Sequence, residues 1–290
     1  MSKTISHYLQ ALAVSAVLLI NGCATTAPMP DVYPSGLVAA LPHTDGYGLL
    51  AKPAPLLESA RKAAYAQAKQ SCDVGCVTPA GKILGAVDNV PAYSNCQSTC
   101  ARAEFSFMDL RTKAVSLHEK PPADKSVHYV GLTYQCVEYA RRWWMTNLGI
   151  TFGDVDSAHE ILYLTVGENI QTNAKFPLAR SLNGTATRPP QRGDLLIYYP
   201  NPTDPKWRHG HVAVIVGVDL AHGWVNVAEQ NYNNLPWVKP NQYARQLRLF
   251  SVGGRYHIED VASDKISNPA GGLISGWIYP ADNVGLKSRD

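Results

Sequence analysis

From Leu195 to Tyr279 the apolar residues come in short blocks closed by Gly, Pro or polar turns, and this pattern narrows the possible folds more than any other. The blocks are Leu195–Tyr199, His211–Val218, Trp224–Glu229, Gln246–Val252 and Leu273–Tyr279. They are strand-sized, rich in Val, Ile and aromatic residues, and too short for helices, so they predict an antiparallel sheet. Upstream the periodicity changes. Gln135–Leu148 sets Val137, Ala140, Trp144 and Leu148 on one helical stripe, and Gly149 stops it. Leu56–Gln70 and a stretch from Ser98 to about His118 also read as helix, with Gly81–Asn95 between them as a strand-turn-strand unit. Helices first and sheet later predict an α+β domain.

The N-terminus carries a different message. Lys3 precedes an apolar run, Tyr8–Ile20, of 13 residues, too short to span a bilayer comfortably. The run ends in Leu19-Ile20-Asn21-Gly22-Cys23, which resembles the lipobox of bacterial lipoproteins. That resemblance implies lipidation of Cys23, with Ala24 after it directing the protein to the outer membrane, facing the periplasm. The expected organisation is a signal peptide over 1–22 and a Pro- and Ala-rich tether over 23–55. A helical segment over 56–77 holds the first cysteine pair, and one domain occupies 78–290. A net charge of +3, without a basic run or basic face, argues against nucleic acid as a partner.

With Cys23 lipidated and Cys136 reserved for chemistry, four of the six cysteines remain: Cys72, Cys76, Cys96 and Cys100. Two C-x3-C pairs in an exported chain predict disulfides rather than a zinc site, with cross-pairing between the clusters favoured and the connectivity left open.

Cys136 stands where the helix 135–148 begins, just after Gly131-Leu132-Thr133. A helix N-terminus beside an imidazolium is the simplest place to stabilise a thiolate. By itself the residue reads equally well as a small buried hydrophobe. The strand pair 211–218 and 224–231 adds the second half of a nucleophile–base–orienter pattern. If the two form a hairpin with Val218 near Trp224, His211 lies opposite Asn231, and Glu229 is one diagonal step away on the same face. Either Glu229 or Asn231 then orients the imidazole. His209 and His211, two residues apart without nearby carboxylates, do not make a metal site, so neither metal nor cofactor is expected. Trp207, Tyr198, Tyr199, Tyr232 and Trp237 lie in or near loops that could line a groove.

Three segments now stand together: Tyr134-Gln-Cys-Val-Glu-Tyr-Ala-Arg-Arg-Trp-Trp144, Gly210-His-Val-Ala-Val214 and Ala228-Glu-Gln-Asn231. They resemble the signatures of the CHAP family, the cysteine- and histidine-dependent amidohydrolases and peptidases. Within it they are most similar to the amidase domains of the glutathionylspermidine synthetase/amidases. The resemblance runs from near Thr78 through Phe152-Gly-Asp-Val155, Arg192-Gly-Asp-Leu-Leu-Ile197 and Ile274-Ser-Gly-Trp-Ile278. It implies a papain-like fold, a helix bearing the nucleophilic cysteine packed on an antiparallel sheet that carries the base. It implies roles as well: Cys136 attacks an amide carbonyl, His211 is the base, and Glu229 orients it. Gln135 and the Cys136 N–H would form an oxyanion hole, and Arg141 would grip a substrate carboxylate. A structural salt bridge, for instance to Glu138, is the other reading of Arg141. The expected substrate is a peptide amide of the envelope, peptidoglycan first. A glutathione–polyamine conjugate is the second reading, and an inactive wall-binding or partner-binding module the third.

Overall fold

The computed structural model describes residue 72 and residues 74–124, 126–201, 204–260 and 272–281. The lipidation signal with Cys23, the tether and the expected helix at 56–70 lie outside the described residues.

The apolar blocks become strands of one nine-stranded sheet. In chain order they are β9 (Leu195–Tyr198), β10 (His211–Asp219), β11 (Trp224–Ala228), β12 (Arg245–Val252) and β14 (Ile274–Pro280). Strands β6 (Ile150–Phe152), β7 (Val166–Asn169), β8 (Lys175–Leu182) and β13 (Arg255–Glu259) complete it. The order is β13-β12-β11-β10-β9-β14-β8-β7-β6, and each neighbouring pair is antiparallel. The sheet bends back on itself. Gly184 N donates to Tyr256 O (2.9 Å) and Tyr256 N to Ala186 O (2.8 Å), which ties the chain after β8 to β13. That closure gives the sheet an inner face, where Leu196, Tyr198, Ala213, Ile215, Val227 and Trp277 pack together. It also removes the open edge of β13.

The outer face receives the helix. Leu195, Ile197, Val212, Val214 and Ile278 pack against Tyr139, Ala140, Trp143 and Trp144 of α1 (Cys136–Asn147). Strands β9 and β10 are buried on both faces for this reason, which is why they read as unbroken apolar runs. Helix α1 ends as its sequence requires: Leu148 N donates to Trp144 O (2.9 Å) and Gly149 adopts φ +68°.

The other side of α1 is covered by a three-stranded sheet, β4-β3-β5, formed by β3 (Phe105–Asp109), β4 (Val115–His118) and β5 (Val127–Leu132). Met108 and Val130 meet Met145 of the helix there. This corrects the helix expected from Ser98 to His118. Asp109 Oδ1 accepts from the backbone N–H groups of Arg111 and Thr112 (both 2.8 Å), and Lys113 takes φ +61°, so the chain reverses after five residues. Phe107 then packs edge-on against Tyr129 and His118, and cross-strand packing outweighs the local helix preference of Leu, Met and Lys. Strands β1 (Ile83–Val87) and β2 (Val90–Tyr93) make the hairpin expected within 81–95. The molecule is therefore richer in strand than the sequence suggested, with α1 and one 3₁₀ helix (Ala158–Tyr163) as the helices among the described residues.

The segment between Cys72 and Ala101 is secured by disulfides Cys72–Cys100 and Cys76–Cys96, so the two clusters cross-pair.

Candidate active site

A tight turn delivers the cysteine. Gln135 N donates to Leu132 O (3.2 Å) while Tyr134 sits at φ +59°, and α1 starts at the next residue but one. Gln135 caps the helix with its backbone alone, so the first N–H groups have no side-chain acceptor and concentrate positive potential at Cys136. Cys136 is the free cysteine of the described residues, 9% exposed, at the floor of a cleft of about 570 Å³.

His211 arrives from the sheet. Gly210 before it holds φ +64°, and a Cβ there would lie 2.5 Å from Tyr198 O, so only glycine lets the chain enter β10 at this height. The imidazole is packed by Tyr198 (5.5 Å between centroids), Tyr232 (5.5 Å) and Trp207 (6.2 Å). Its Nε2 lies 2.8 Å from Glu229 Oε2. Cys136 also acts on the ring, and with Nε2 engaged by Glu229 the nitrogen left for sulfur is Nδ1. Burial works against the imidazolium, but the hydrogen bonds and charge of Cys136 and Glu229 overcome it and push His211 up to about 9.

The hairpin reaches this geometry by a route the sequence did not reveal. At the turn Asp219 faces Trp224 and Val218 faces Val225, one residue away from the expected pairing. A bulge between Ile215 and Gly217 then shifts the register, so that Val214 faces Ala228. Beyond that point the side chains of Glu229 and His211 meet as anticipated.

Three consecutive residues after β11 each fasten something different. Glu229 takes His211 on one side and Arg245 on the other. Arg245 Nε bonds Oε1, and its Nη2 donates to Oε2 (3.1 Å) and to the Tyr198 hydroxyl (3.0 Å). Its Nη1 pairs with the buried Asp260 Oδ2 (2.5 Å), and its guanidinium stacks 3.7 Å from the Tyr232 ring centre. Burial would raise the Glu229 carboxyl, but Arg245 and His211 hold it down at about 2. Gln230 turns to the helix. Its Nε2 donates to Gln135 O (3.1 Å) and Glu138 Oε2 (2.9 Å), and its Oε1 accepts from Tyr93 N (2.7 Å). Asn231, at φ +61°, donates from Nδ2 to Gln135 Oε1 (2.7 Å), while Gln135 Nε2 donates to Cys100 O (2.7 Å). Of the two possible orienters, Glu229 therefore touches the imidazole, and Asn231 fixes the Gln135 amide instead.

Arg141 is not where the carboxylate-binding expectation put it. It is 2% exposed and lies outside the cleft lining. Its guanidinium donates to the carbonyls of Phe152 (3.2 Å), Val130 (2.5 Å) and Gly153 (3.0 Å) and meets Asp154 at 3.4 Å. One position on, helix rotation changes the partner: Arg142 forms the two-pronged pair with Glu138 (2.7 and 3.2 Å), the classical i,i+4 spacing. Trp207 and Tyr232 line the cleft, whereas Tyr198 is buried beneath His211 and Trp237 packs into the core against Tyr139.

Arg245 was missed. No motif surrounds it in the sequence, and only the pairing of Val227 with Arg245 across β11 and β12 brings it beside Glu229. The available signal was an arginine at the very start of an alternating strand, just before the apolar block.

Residues 127–231 match the model of the CHAP domain. Over 156 residues the chain is 33% identical to the bifunctional glutathionylspermidine synthetase/amidase of Escherichia coli (strain K12), covering 54% of this chain and 23% of that protein. Trypanothione synthetase of Crithidia fasciculata is 30% identical over 195 residues, 67% of this chain and 26% of that protein. The chain thus spans about a quarter of the length of these curated relatives. The crystal structure of Ly7917 with the hydrolyzing product of MDP aligns with 51% of this chain and 54% of its own at 19% identity and a TM-score of 0.26, too low to carry an argument.

Proposed function

We propose that this chain, which carries a CHAP domain over residues 127–231, is a cysteine-dependent hydrolase of amide bonds with a papain-like site. The observation that carries the reading is the buried series Cys136, His211, Glu229, in which Glu229 hydrogen-bonds the imidazole and Cys136 lines one cleft with it. The Cys136 thiolate attacks the carbonyl carbon. The oxyanion that forms is met by the Cys136 backbone N–H at the start of α1 and by the Gln135 side-chain amide, whose orientation Asn231 and Cys100 fix. Imidazolium His211 protonates the departing amine and leaves an acyl-enzyme. Neutral His211 then activates water, the acid is released, and the ion pair is restored. Glu229 holds the ring and balances its charge throughout.

The substrate we favour is an amide in peptidoglycan, cut by an envelope protein anchored through Cys23 in the outer membrane. Two disulfides support an oxidising compartment, where peptidoglycan is the abundant amide polymer. The likeness to a glutathionylspermidine synthetase/amidase favours the second reading, a glutathione–polyamine conjugate. Both are tested by giving purified protein and its Cys136→Ala variant sacculi and glutathionylspermidine, with products identified by mass spectrometry. New muropeptides that vanish in the variant support the first reading, and spermidine release alone replaces it with the second. No product from either substrate would sink the enzyme reading.

A further inference from the structure

Among the described residues that line the cleft around Cys136, no side chain is a carboxylate. That lining carries the basic side chains of Lys206, Arg208, His209 and His211. Asp156 bears on His209, and the other nearby acids are engaged. Glu229 is held by His211 and Arg245, and Glu138 by Arg142 and Gln230. Glu160 accepts from the backbone N–H groups of Asp156 and Ser157, and Asp204 accepts from that of Lys206. Among the described residues neither Lys206 nor Arg208 has an acidic side chain within ion-pair distance.

The basic residues sit on a well-tied turn. Trp207 N donates to Asp204 O (3.0 Å), Gly210 N to Trp207 O (2.9 Å), and His159 N to His209 O (3.3 Å), while Ser157 Oγ lies 2.8 Å from His209 Nδ1. This turn leads directly into Gly210 and His211, so its charges stand within a few residues of the catalytic histidine and line the same cleft as Cys136. The N-terminus of α1 opens on the same space and adds positive potential of its own. Arg141, meanwhile, is engaged elsewhere and cannot serve an anion in the cleft.

We infer that the cleft selects an amide whose neighbouring groups are carboxylates, that Lys206 and Arg208 bind them, and that a polycationic amide is disfavoured there. This rests on the amidase reading and narrows it: an acidic peptide satisfies both cations and the helix terminus, whereas a polyamine meets like charge in a partly desolvated cleft.

The test separates binding from chemistry. The full chain carrying Cys136→Ala is titrated calorimetrically with a soluble stem-peptide fragment bearing free carboxylates. The same peptide with its carboxylates converted to carboxamides, and glutathionylspermidine, are titrated in parallel. The carboxylate peptide is expected to bind roughly tenfold or more tightly than its carboxamide, with a preference that shrinks as salt rises. Lys206→Ala combined with Arg208→Ala, or Arg208→Glu alone, should bring the ratio close to one by weakening the carboxylate peptide. Equal binding of the two peptides, no binding of either, tighter binding of glutathionylspermidine, or a ratio unmoved by these substitutions would each overturn the inference. Hydrolysis by the native protein is scored separately, so amide cleavage without a carboxylate preference removes the selectivity and leaves the amidase reading standing.

Discussion

The wall that carries His211 and the wall made by residues 97–101 border the same cleft, yet they are held by unlike means. The first is sheet. His211 and Glu229 are buried, and Arg245 and Asp260 continue the series of charges behind them. The second has no regular secondary structure, and disulfides at Cys96 and Cys100 bracket it. A wall held by buried ionised groups answers to pH. A wall held by cystines answers to reducing agents. One short chain of hydrogen bonds, Asn231 to Gln135 to Cys100, joins the two beneath the nucleophile.

The largest expected effect tests the charged wall. Arg245→Leu strands two buried carboxylates, Glu229 and Asp260, at 3% and 2% side-chain exposure. Breaking such a set by removing one partner costs about 3–5 kcal/mol. Thermal unfolding should show a fall in Tm of roughly 6–20 °C at neutral pH, at about 2–4 °C per kcal/mol for a domain of this size. A change within about 1 kcal/mol would mean that the network is not what holds this wall.

Next comes the cystine wall. The Cys72–Cys100 bridge closes a segment of 28 residues. Chain-entropy arguments give such a link about 3–4 kcal/mol. Cys72→Ser with Cys100→Ser should lower stability by up to that amount and also lower turnover, because Cys100 O is the acceptor that holds Gln135. Mild reduction should reproduce both effects in the native protein and leave the Arg245→Leu effect unchanged when the two are combined. Strict non-additivity would show that the walls are one unit.

A smaller effect separates the two walls by pH. His211 is raised from 6.5 to about 9, so its contribution is complete below about 6.5 and is lost as pH rises through about 9. Glu229 is lowered from 4.5 to about 2, so its contribution is complete above about 4.5 and is lost as pH falls toward 2. The charged wall is therefore strongest between about 4.5 and 6.5. The alkaline limb of activity should fall near 9. In Glu229→Gln it should move down by roughly one to two pH units, since each unit is about 1.4 kcal/mol of differential stabilisation. The cystine double variant should leave that limb in place. An unmoved limb in Glu229→Gln would remove Glu229 as the group that charges His211.

What could be read in advance follows the same division. Strands β9, β10, β11 and β14 are buried on both faces or beside α1, and burial leaves a dense apolar record in the sequence. Strands β4 (VSLH), β7 (VGEN) and β13 (RYHIE) are mostly exposed or half-buried, so they carry no apolar run and at most two apolar residues in a brief alternation, and none was anticipated. Composition misled at 98–118 because an aspartate-closed turn, rather than intrinsic preference, decides that stretch. Within the site, residues inside one local motif were legible: Cys136 at a helix start, His211 at the start of β10 and Glu229 just after the facing strand. Arg245 and the true position of Arg141 depend on which strand lies beside which, although the i,i+4 spacing of Glu138 and Arg142 already pointed to Arg142 as the partner of Glu138. The bulge at 215–217 is the clearest case. Two departures from the simple hairpin cancel, so the expected neighbours met although the pairing at the turn was different.

The smallest effect concerns the link between the walls. Asn231 occupies the left-handed region at φ +61°, so an alanine there would add backbone strain to the loss of the amide. Asn231→Gly keeps the conformation and removes only the side chain. Gln135 would then lose the donor on Oε1, and its amide could rotate about the remaining bond to Cys100. A net hydrogen bond is worth about 1 kcal/mol, so kcat should fall roughly fivefold to tenfold with KM little changed. A merely structural role predicts something else, a lower Tm with kcat intact. The decisive comparison is a double-mutant cycle with Gln135→Ala. If Asn231 acts through Gln135, removing it from the Gln135→Ala protein costs nothing further in kcat. Additive losses would mean that Asn231 reaches the reacting atoms by another path, and that the two walls of the cleft are joined somewhere other than beneath Cys136.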